Sequence, residues 1–437
     1  MKLKKIAALL AVAGISAPAF ATNGMNMEGY GPIATGMGGA SMAYDNGNAA
    51  MMNNPATLSL APAGANRLDV AVGGLHPDVT AKMAGQPNAA SGGDAYFMPA
   101  LGWTKKDGKL SYGIGVFAQG GMGTEYSASS FMALGSGKDA RSELGVGRVI
   151  LPLSYEVSPD FSVGGSIDFV WATLDLKMAA TGAQLGGMVT GSSGALAGAL
   201  GALAGAPWAR IDFSDGNDFS GSAKGSGWAG KLGFTYKINK SLTIGASYHS
   251  KTAMSDLETG STGAAMTASG GFADSGKIKV RDFEWPETMA IGLSYQASPQ
   301  WQFVADVKHI GWEDVMKSFK MSYTSAVMGG SVDFAMPQNW KDQTVLQLGA
   351  TYQMNDQLAL RFGLNTSRNP IPSTWLNALF PAIVKDHYTL GLGYKFNKMA
   401  DLNGSITYAP KVTQAAASGI TNEHGQLNWQ VMYSHRF

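Results

Sequence analysis

Beyond about Asn66 the chain alternates apolar and polar residues with a period of two, the signature of strands with one apolar face. Val149, Leu151, Leu153, Tyr155 and Val157 interleave with Arg148, Ile150, Pro152, Ser154 and Glu156. Phe161, Val163, Ile167, Phe169 and Trp171 interleave with Ser162, Gly164, Ser166 and Asp168, and Leu358, Leu360, Phe362 and Leu364 with Ala359, Arg361, Gly363 and Asn365. In a soluble sandwich the apolar face would be the core, whereas in a membrane barrel it meets lipid and the polar face lines the lumen. The turns favour the barrel. Tyr155, Tyr236, Tyr295, Tyr352 and Tyr394 each stand three residues before a tight polar turn, and Trp103 stands likewise before Lys106-Asp107. All five Tyr fall on the apolar face, so folding sets them in one ring beside the short turns, as an interfacial aromatic girdle requires. The bland alternative is local packing against each turn.

Short turns alternate with long connections over 77–95, 120–142, 177–221, 255–276, 324–339, 369–382 and 411–425. Six turns and seven loops join fourteen strands, near 66–76, 96–106, 109–119, 144–157, 160–176, 222–238, 241–254, 277–297, 300–323, 340–354, 357–368, 383–396, 399–410 and 426–437. The expected fold is all-β, a 14-stranded antiparallel transmembrane barrel over 66–437. The segment 22–65 lacks the period-two pattern and is rich in Gly, Met, Ala and Asn. A barrel this wide has a lumen that its own side chains do not fill, so this segment is expected to be a hatch packed inside it. A flexible periplasmic tail is the alternative, but Met25, Met27, Tyr30, Met37 and Met42 are poorly suited to water.

Composition narrows the compartment. Lys and Arg total 32 against 31 Asp and Glu, which gives a net charge of +1 and disfavours a nucleic-acid partner. Charged residues are only 14% of the chain and Gly numbers 58 of 437, so something other than charge covers the surface. Lys2, Lys4 and Lys5, then an apolar run from Ile6 to Ile15, then Ala19-Phe20-Ala21 read as a signal peptide over 1–21, with the mature chain starting at Thr22. The lack of Cys fits the periplasm or outer membrane. The alternating last strand ends on Phe437, resembling the C-terminal signal by which outer-membrane barrels reach their insertion machinery.

With these features in place, the mature N-terminus resembles the FadL family of outer-membrane transporters of long-chain fatty acids and aromatic hydrocarbons. The resemblance rests on Gly36-Met37-Gly38-Gly39-Ala40, on Asp45 to Ala50 and on Asn54-Pro55-Ala56, which matches the family's Asn-Pro-Ala signature. It continues through Pro152, Tyr155, Trp312 and Asn369-Pro370-Ile371-Pro372. It implies passive transport of hydrophobic small molecules: capture among the outer loops, passage to a pocket lined by the hatch, and lateral exit beside a kinked third strand. Here that strand ends in Gln119-Gly120-Gly121, where Gly weakens pairing and permits a bend.

Candidate residues follow. Leu196, Leu200 and Leu203 share one helical face on an outer loop, for a capture groove or for loop packing. Met25, Met27, Tyr30, Ile33 and Phe117 are candidates for the deeper pocket, because unbranched Met adapts to apolar ligands of several shapes; an ordinary core is the alternative. A carboxylate cargo would need a lumenal cation, and parity offers Arg148, Lys231, Lys308 and Arg361, although such residues are more often partners in lumenal ion pairs, here with Asp168, Glu156 or Asp306. Asn54, Pro55 and Ala56, with Gln119 and Gly120, are candidates for gating: Pro55 biases Asn54 to an extended backbone, and the Asn54 amide can bond backbone groups of the wall. A simple turn ending the hatch is the alternative.

Catalysis finds no support. The six His are scattered, without metal-ligand spacing, and no Gly-x-Ser-x-Gly or phosphate loop is present. The reading is a non-enzymatic outer-membrane barrel that needs no cofactor or metal. Its expected partners are a hydrophobic small molecule, outer-membrane lipid and lipopolysaccharide, and the insertion machinery, with the chain itself a monomer. A general diffusion porin and a surface adhesion or structural barrel are the alternatives.

Overall fold

The computed structural model describes residues 23–217 and 220–437, so the expected signal peptide and its cleavage before Thr22 lie outside the described residues. The wall begins with β1 (Asn66–Lys82), β2 (Tyr96–Asp107), β3 (Leu110–Tyr126), β4 (Ala140–Ser158) and β5 (Phe161–Ala180). It continues through β6 (Ala209–Phe213), β7 (Ala223–Lys237), β8 (Leu242–His249), β9 (Leu257–Glu258), β10 (Ala264–Ala268) and β11 (Ala273–Arg281). It is completed by β12 (Thr288–Gln296), β13 (Trp301–Ile310), β14 (Gln343–Gln353), β15 (Leu358–Ser367), β16 (Asp386–Lys395), β17 (Ala400–Ala415) and β18 (Thr421–Arg436). All pairings are antiparallel, and β18 closes on β1 from Arg67 opposite Arg436 to Lys82 opposite Thr421.

The expected count of fourteen is corrected: the closed circuit runs through eighteen strands. Near the short turns β5 pairs directly with β7, from Phe161 opposite Tyr236 to Leu174 opposite Ala223. Further out β5 turns to β6, β6 to β10, β10 to β11, β11 to β9, and β9 returns to β7. Long outer loops are thus strands that raise the wall. Two expected strands are also split: 277–297 is β11 and β12 with Trp285 between them, and 300–323 is β13, the turn α1 (Trp312–Val315) and a strand at Ser318–Ser325. The apolar pattern runs on through both breaks because the outer strands also bury an inner face, with Ile278, Val280, Met321 and Tyr323 fully buried.

Lower down, the apolar face looks outward. Leu151, Leu153, Ile167, Leu232 and Ile291 are all more than half exposed, as lipid-facing residues must be. Tyr155, Tyr236, Tyr295 and Tyr394 are exposed beside the short turns, where the aromatic ring was expected.

The segment from Asn23 to Leu60 is buried and meets the wall on every side. Asn48 Nδ2 donates to Gly102 O of β2 at 2.6 Å, and Asn54 Nδ2 to Phe234 O of β7 at 3.0 Å. Ser41 and Met42 N–H groups donate to the Asp306 carboxylate of β13 at 2.6 and 3.1 Å. Gly38 N donates to Thr389 Oγ1 of β16 at 3.0 Å, and Gln430 Nε2 of β18 to Thr35 Oγ1 at 3.1 Å. A segment with partners all round the circuit lies inside it. Its irregular backbone is tolerated because wall side chains satisfy its polar groups.

Candidate functional site

The wall is interrupted at β3. Its pairing with β2 stops at Ala100 opposite Phe117, and its register with β4 slips between Ala118 and Gly120, a bulge that leaves Gln119 as the extra residue. Pro99, just beyond the last pair on β2, has no N–H to offer, which suits a strand edge. The inner segment meets the bulge instead: Gly121 N donates to Met25 O at 3.1 Å, and Asn26 bridges Gly120. Only glycine fits at 120, since a Cβ there would sit 2.1 Å from Met25 O. The Tyr30 hydroxyl donates to Gln119 O at 2.7 Å. Trp285 Nε1 donates to Asn26 Oδ1 at 3.0 Å, and behind it the buried rings of Trp312 and Trp340 follow edge to face at 5.8 and 5.2 Å.

Three small cavities flank this junction. The outer one, about 40 Å³, is lined by Met25 below and by Phe283, Met316, Phe319 and Phe380. A second, about 40 Å³, lies against the wall, where Met27, Tyr30 and Phe117 line it together with the paired Val72 of β1 and Pro99 of β2. A third, about 20 Å³, is mixed: Asn53, Gln119, His249 and Lys308 line it beside Met27, Met42 and Met52. Met25, Met27, Tyr30 and Phe117 are therefore brought together. Ile33 is not, for it packs on a separate cluster of Met37, Ala40, Tyr44 and Val304.

Leu196, Leu200 and Leu203 lie on the helix α2 (Gly194–Leu203), with Leu196 and Leu203 buried in the outer-loop packing. The aromatic and Met residues of the outer cavity were missed because they come from three loops distant in sequence and share no local pattern.

The cations sort by partner. Arg148 donates to Asp168 at 2.9 Å, to Thr252 at 3.2 Å and to Gln119 Oε1, while Lys231 reaches the same Asp168 oxygen at 2.5 Å. Two cations thus share one buried carboxylate. Arg361 donates to Asn403 at 3.0 Å near the short turns, on the β15 to β17 side. Lys308 faces the third cavity, with no carboxylate in ion-pair reach among the described residues.

The Asn54-Pro55-Ala56 elbow lies against β5, β7 and β8, away from the β3 bulge. The Asn54 amide donates to Met42 O at 2.8 Å and to Phe234 O at 3.0 Å and accepts from Ala56 N at 3.1 Å, which caps the turn Pro55–Leu60. One short path joins elbow to bulge: Asn53 Nδ2 donates to Tyr30 O at 3.0 Å, and Tyr30 in turn holds Gln119.

The chain matches, over residues 8–433, the family described as outer membrane protein transport protein (OMPP1/FadL/TodX). It resembles the crystal structure of the Pseudomonas putida toluene transporter TodX, at a TM-score of 0.83 and 31% identity, covering 94% of this chain and 99% of that one. Likeness to the Ralstonia pickettii toluene transporter TbuX is 0.79 with 30% identity over the same shares. The long-chain fatty acid transport protein of Escherichia coli K12 is 22% identical over 429 residues, covering 92% of this chain and 91% of the relative.

Proposed function

The chain belongs to the outer membrane protein transport family (OMPP1/FadL/TodX), and from that membership we propose a route for its cargo through the wall rather than along the barrel axis. The protein is an outer-membrane channel, not an enzyme, and passes hydrophobic molecules such as fatty acids or aromatic hydrocarbons passively. In the proposed route, cargo enters the outer cavity above Met25, slips past Met25 and Met27, and leaves into the membrane between β2 and β3. The observation that carries this reading is the end of the β2 to β3 pairing at Ala100 and Phe117, with a cavity lined by Met27, Phe117, Val72 and Pro99 beside it.

Residues 22–65 act as the hatch of this route. A cavity of about 40 Å³ has room for little more than a water or two, so the segment must shift for cargo to pass. Met side chains yield readily, and the elbow at Asn54-Pro55-Ala56 holds the rest of the segment to the wall while they do. Sideways exit keeps an apolar solute out of water, which is where the driving force lies. A fatty-acid carboxylate would meet Lys308, and a neutral aromatic ring needs no cation. The chain works as a monomer among phospholipid and lipopolysaccharide and reaches the membrane through the barrel-insertion machinery.

The test is uptake of radiolabelled oleate and toluene by cells lacking their own hydrophobic transporters, with the wild-type chain and a deletion of Asn54 to Ala56. Saturable uptake of either, lost on deletion in a correctly inserted barrel, is expected. Absence of uptake of both, with a folded barrel and large conductance in planar bilayers, would turn the reading to a porin.

A further inference from the structure

The outward face of the barrel carries a groove remote from the β3 bulge. About 1150 Å³ in volume, it crosses β4, β5, β7, β8, β12 and β13. It follows two adjacent cross-strand rows. One passes from Tyr155 by Phe234 and Ala246 to Val307, and the other from Leu153 by Gly165 and Leu232 to His309. Six neighbouring strands span five spacings, so the groove is about 24 Å long at ~4.8 Å per spacing.

A barrel wall is normally convex outside, and two features make it concave here. On the outer face Gly165 leaves a gap between Leu153 and Leu232 in one row, and Ala246 leaves one between Phe234 and Ile291 in the other. On the inner face the wall lies against the Asn54-Pro55-Ala56 elbow at backbone distance. A Cβ on Gly233 would come 2.2 Å from Asn54 Oδ1, and one on Gly164 2.5 Å from Ala56 N. Wall and elbow touch through small residues, so no bulky side chain separates the floor of the groove from the elbow.

We propose that this groove is a binding site for one acyl chain of a phospholipid from the periplasmic leaflet. The groove is continuous with the lipid-facing band, and its lining is almost wholly apolar. Charge at its two ends sets the orientation. At the short-turn end the exposed Lys237 and Lys240 stand at the rim with Asp160, Lys237 reaching across to Pro159 O with its Nζ at 3.0 Å, so a lipid phosphate there meets two cations against one carboxylate. At the outer end stand Glu287, which accepts from the Tyr248 hydroxyl at 2.9 Å, and Asp342, 3.6 Å from His309; these carboxylates repel a phosphate. The headgroup therefore sits at the periplasmic end and the chain rises along the rows. The site needs only the outer-membrane location, and is independent of the route at β2 and β3.

The full chain is reconstituted in vesicles of phosphatidylethanolamine and phosphatidylglycerol with lipid A added, extracted into mild detergent and weighed by native mass spectrometry. Wild type is expected to retain one diacyl phospholipid per barrel. Gly165→Leu and Ala246→Leu, which fill the groove from different strands, are each expected to retain at least tenfold less, and Leu390→Ala, on the outward face elsewhere, to match wild type. Having two separate filling variants keeps the test alive if one fails to fold. No retained phospholipid in wild type, or equal retention in wild type and a folded filling variant, overturns the proposal. Retention of lipid A, or of a free fatty acid or hydrocarbon in place of phospholipid, overturns the assigned occupant.

Discussion

The two sides of the lumen are built from opposite chemistry. Towards β3 to β5 and the outer strands the lining is Met, Phe, Leu and Trp in one continuous buried cluster, and the cavities of the proposed route lie there. Towards β14 to β18 the buried inward residues are mostly polar, among them Gln347, Asn365, His387, Thr389, Asn403, Asn428 and Gln430. Here wall amides grip the inner segment: Gln347 Nε2 donates to Glu28 O at 2.8 Å and Asn365 Nδ2 to Gly38 O at 3.1 Å. Apolar contacts are non-directional and let a segment slide, whereas hydrogen bonds fix register. The difference teaches that the stretch at the outer cavity, where Met25 meets Phe283, Met316 and Phe319, can serve as the moving part. The β14 to β18 side, together with the Asn54 elbow, serves as the anchor.

Five substitutions and one change of pH would break or sharpen that contrast. The largest effect is expected at the Arg148–Asp168–Lys231 cluster, where two cations share one buried carboxylate. Asp168→Asn leaves Arg148 and Lys231 buried together without their shared carboxylate, and is expected to destabilise the barrel by about 3–5 kcal/mol in urea unfolding. Arg148→Met should cost less, because Lys231 still neutralises Asp168; equal losses would contradict the shared pairing. Next, Asn365→Leu removes the amide that holds Gly38 O, at an expected cost of about 1–3 kcal/mol. A loosened anchor is expected to raise ion conductance in planar bilayers, and unchanged conductance would count against the anchoring role. Asn422 is the instructive contrast on the same side: both of its amide atoms are buried without a partner among the described residues. Asn422→Leu is therefore expected to be neutral or slightly stabilising in the same unfolding assay.

The smallest effect is one of pH, outside the membrane. Hydrogen bonds from Lys277 and Lys279 hold the exposed Glu258 carboxyl below the usual carboxylate range. A depressed carboxylate contributes above its unfolded value and loses that contribution as pH falls through the folded one. Amide protection in β9 and β11 should thus be flat from neutral pH down to the carboxylate range and weaken only below it, and Glu258→Gln should remove the step. A step near neutral pH would assign it to another group.

The legible part of the molecule is what repeats. Tyr155, Tyr236, Tyr295 and Tyr394 were readable as a ring because one residue type recurs at a fixed offset from each turn, and parity alone put Arg148, Asp168 and Lys231 on the inner face. What parity lacks is depth and partner. It does not show that Arg148 and Lys231 meet on one oxygen, or that Arg361 sits away from both. The strand count failed for a related reason: β6, β9 and β10 are two to five residues long and too short to show a period, so they read as loop. At the route, Gln119-Gly120-Gly121 was readable as a weak point in β3, but the arrival of Asn26 and Trp285 there depends on contacts 94 and 165 residues away from Gly120. The elbow was readable as a motif, yet its place against β5, β7 and β8 was not.

The most direct test of the route is to remove the bulge itself. Deleting Gln119 takes out the one extra residue and restores a continuous register between β3 and β4. In a barrel that inserts and shows wild-type heat-modifiable mobility, uptake of labelled oleate and toluene is expected to fall to the level of cells without the protein, with ion conductance unchanged. Wild-type uptake through the straightened strand would contradict exit through the wall at β2 and β3.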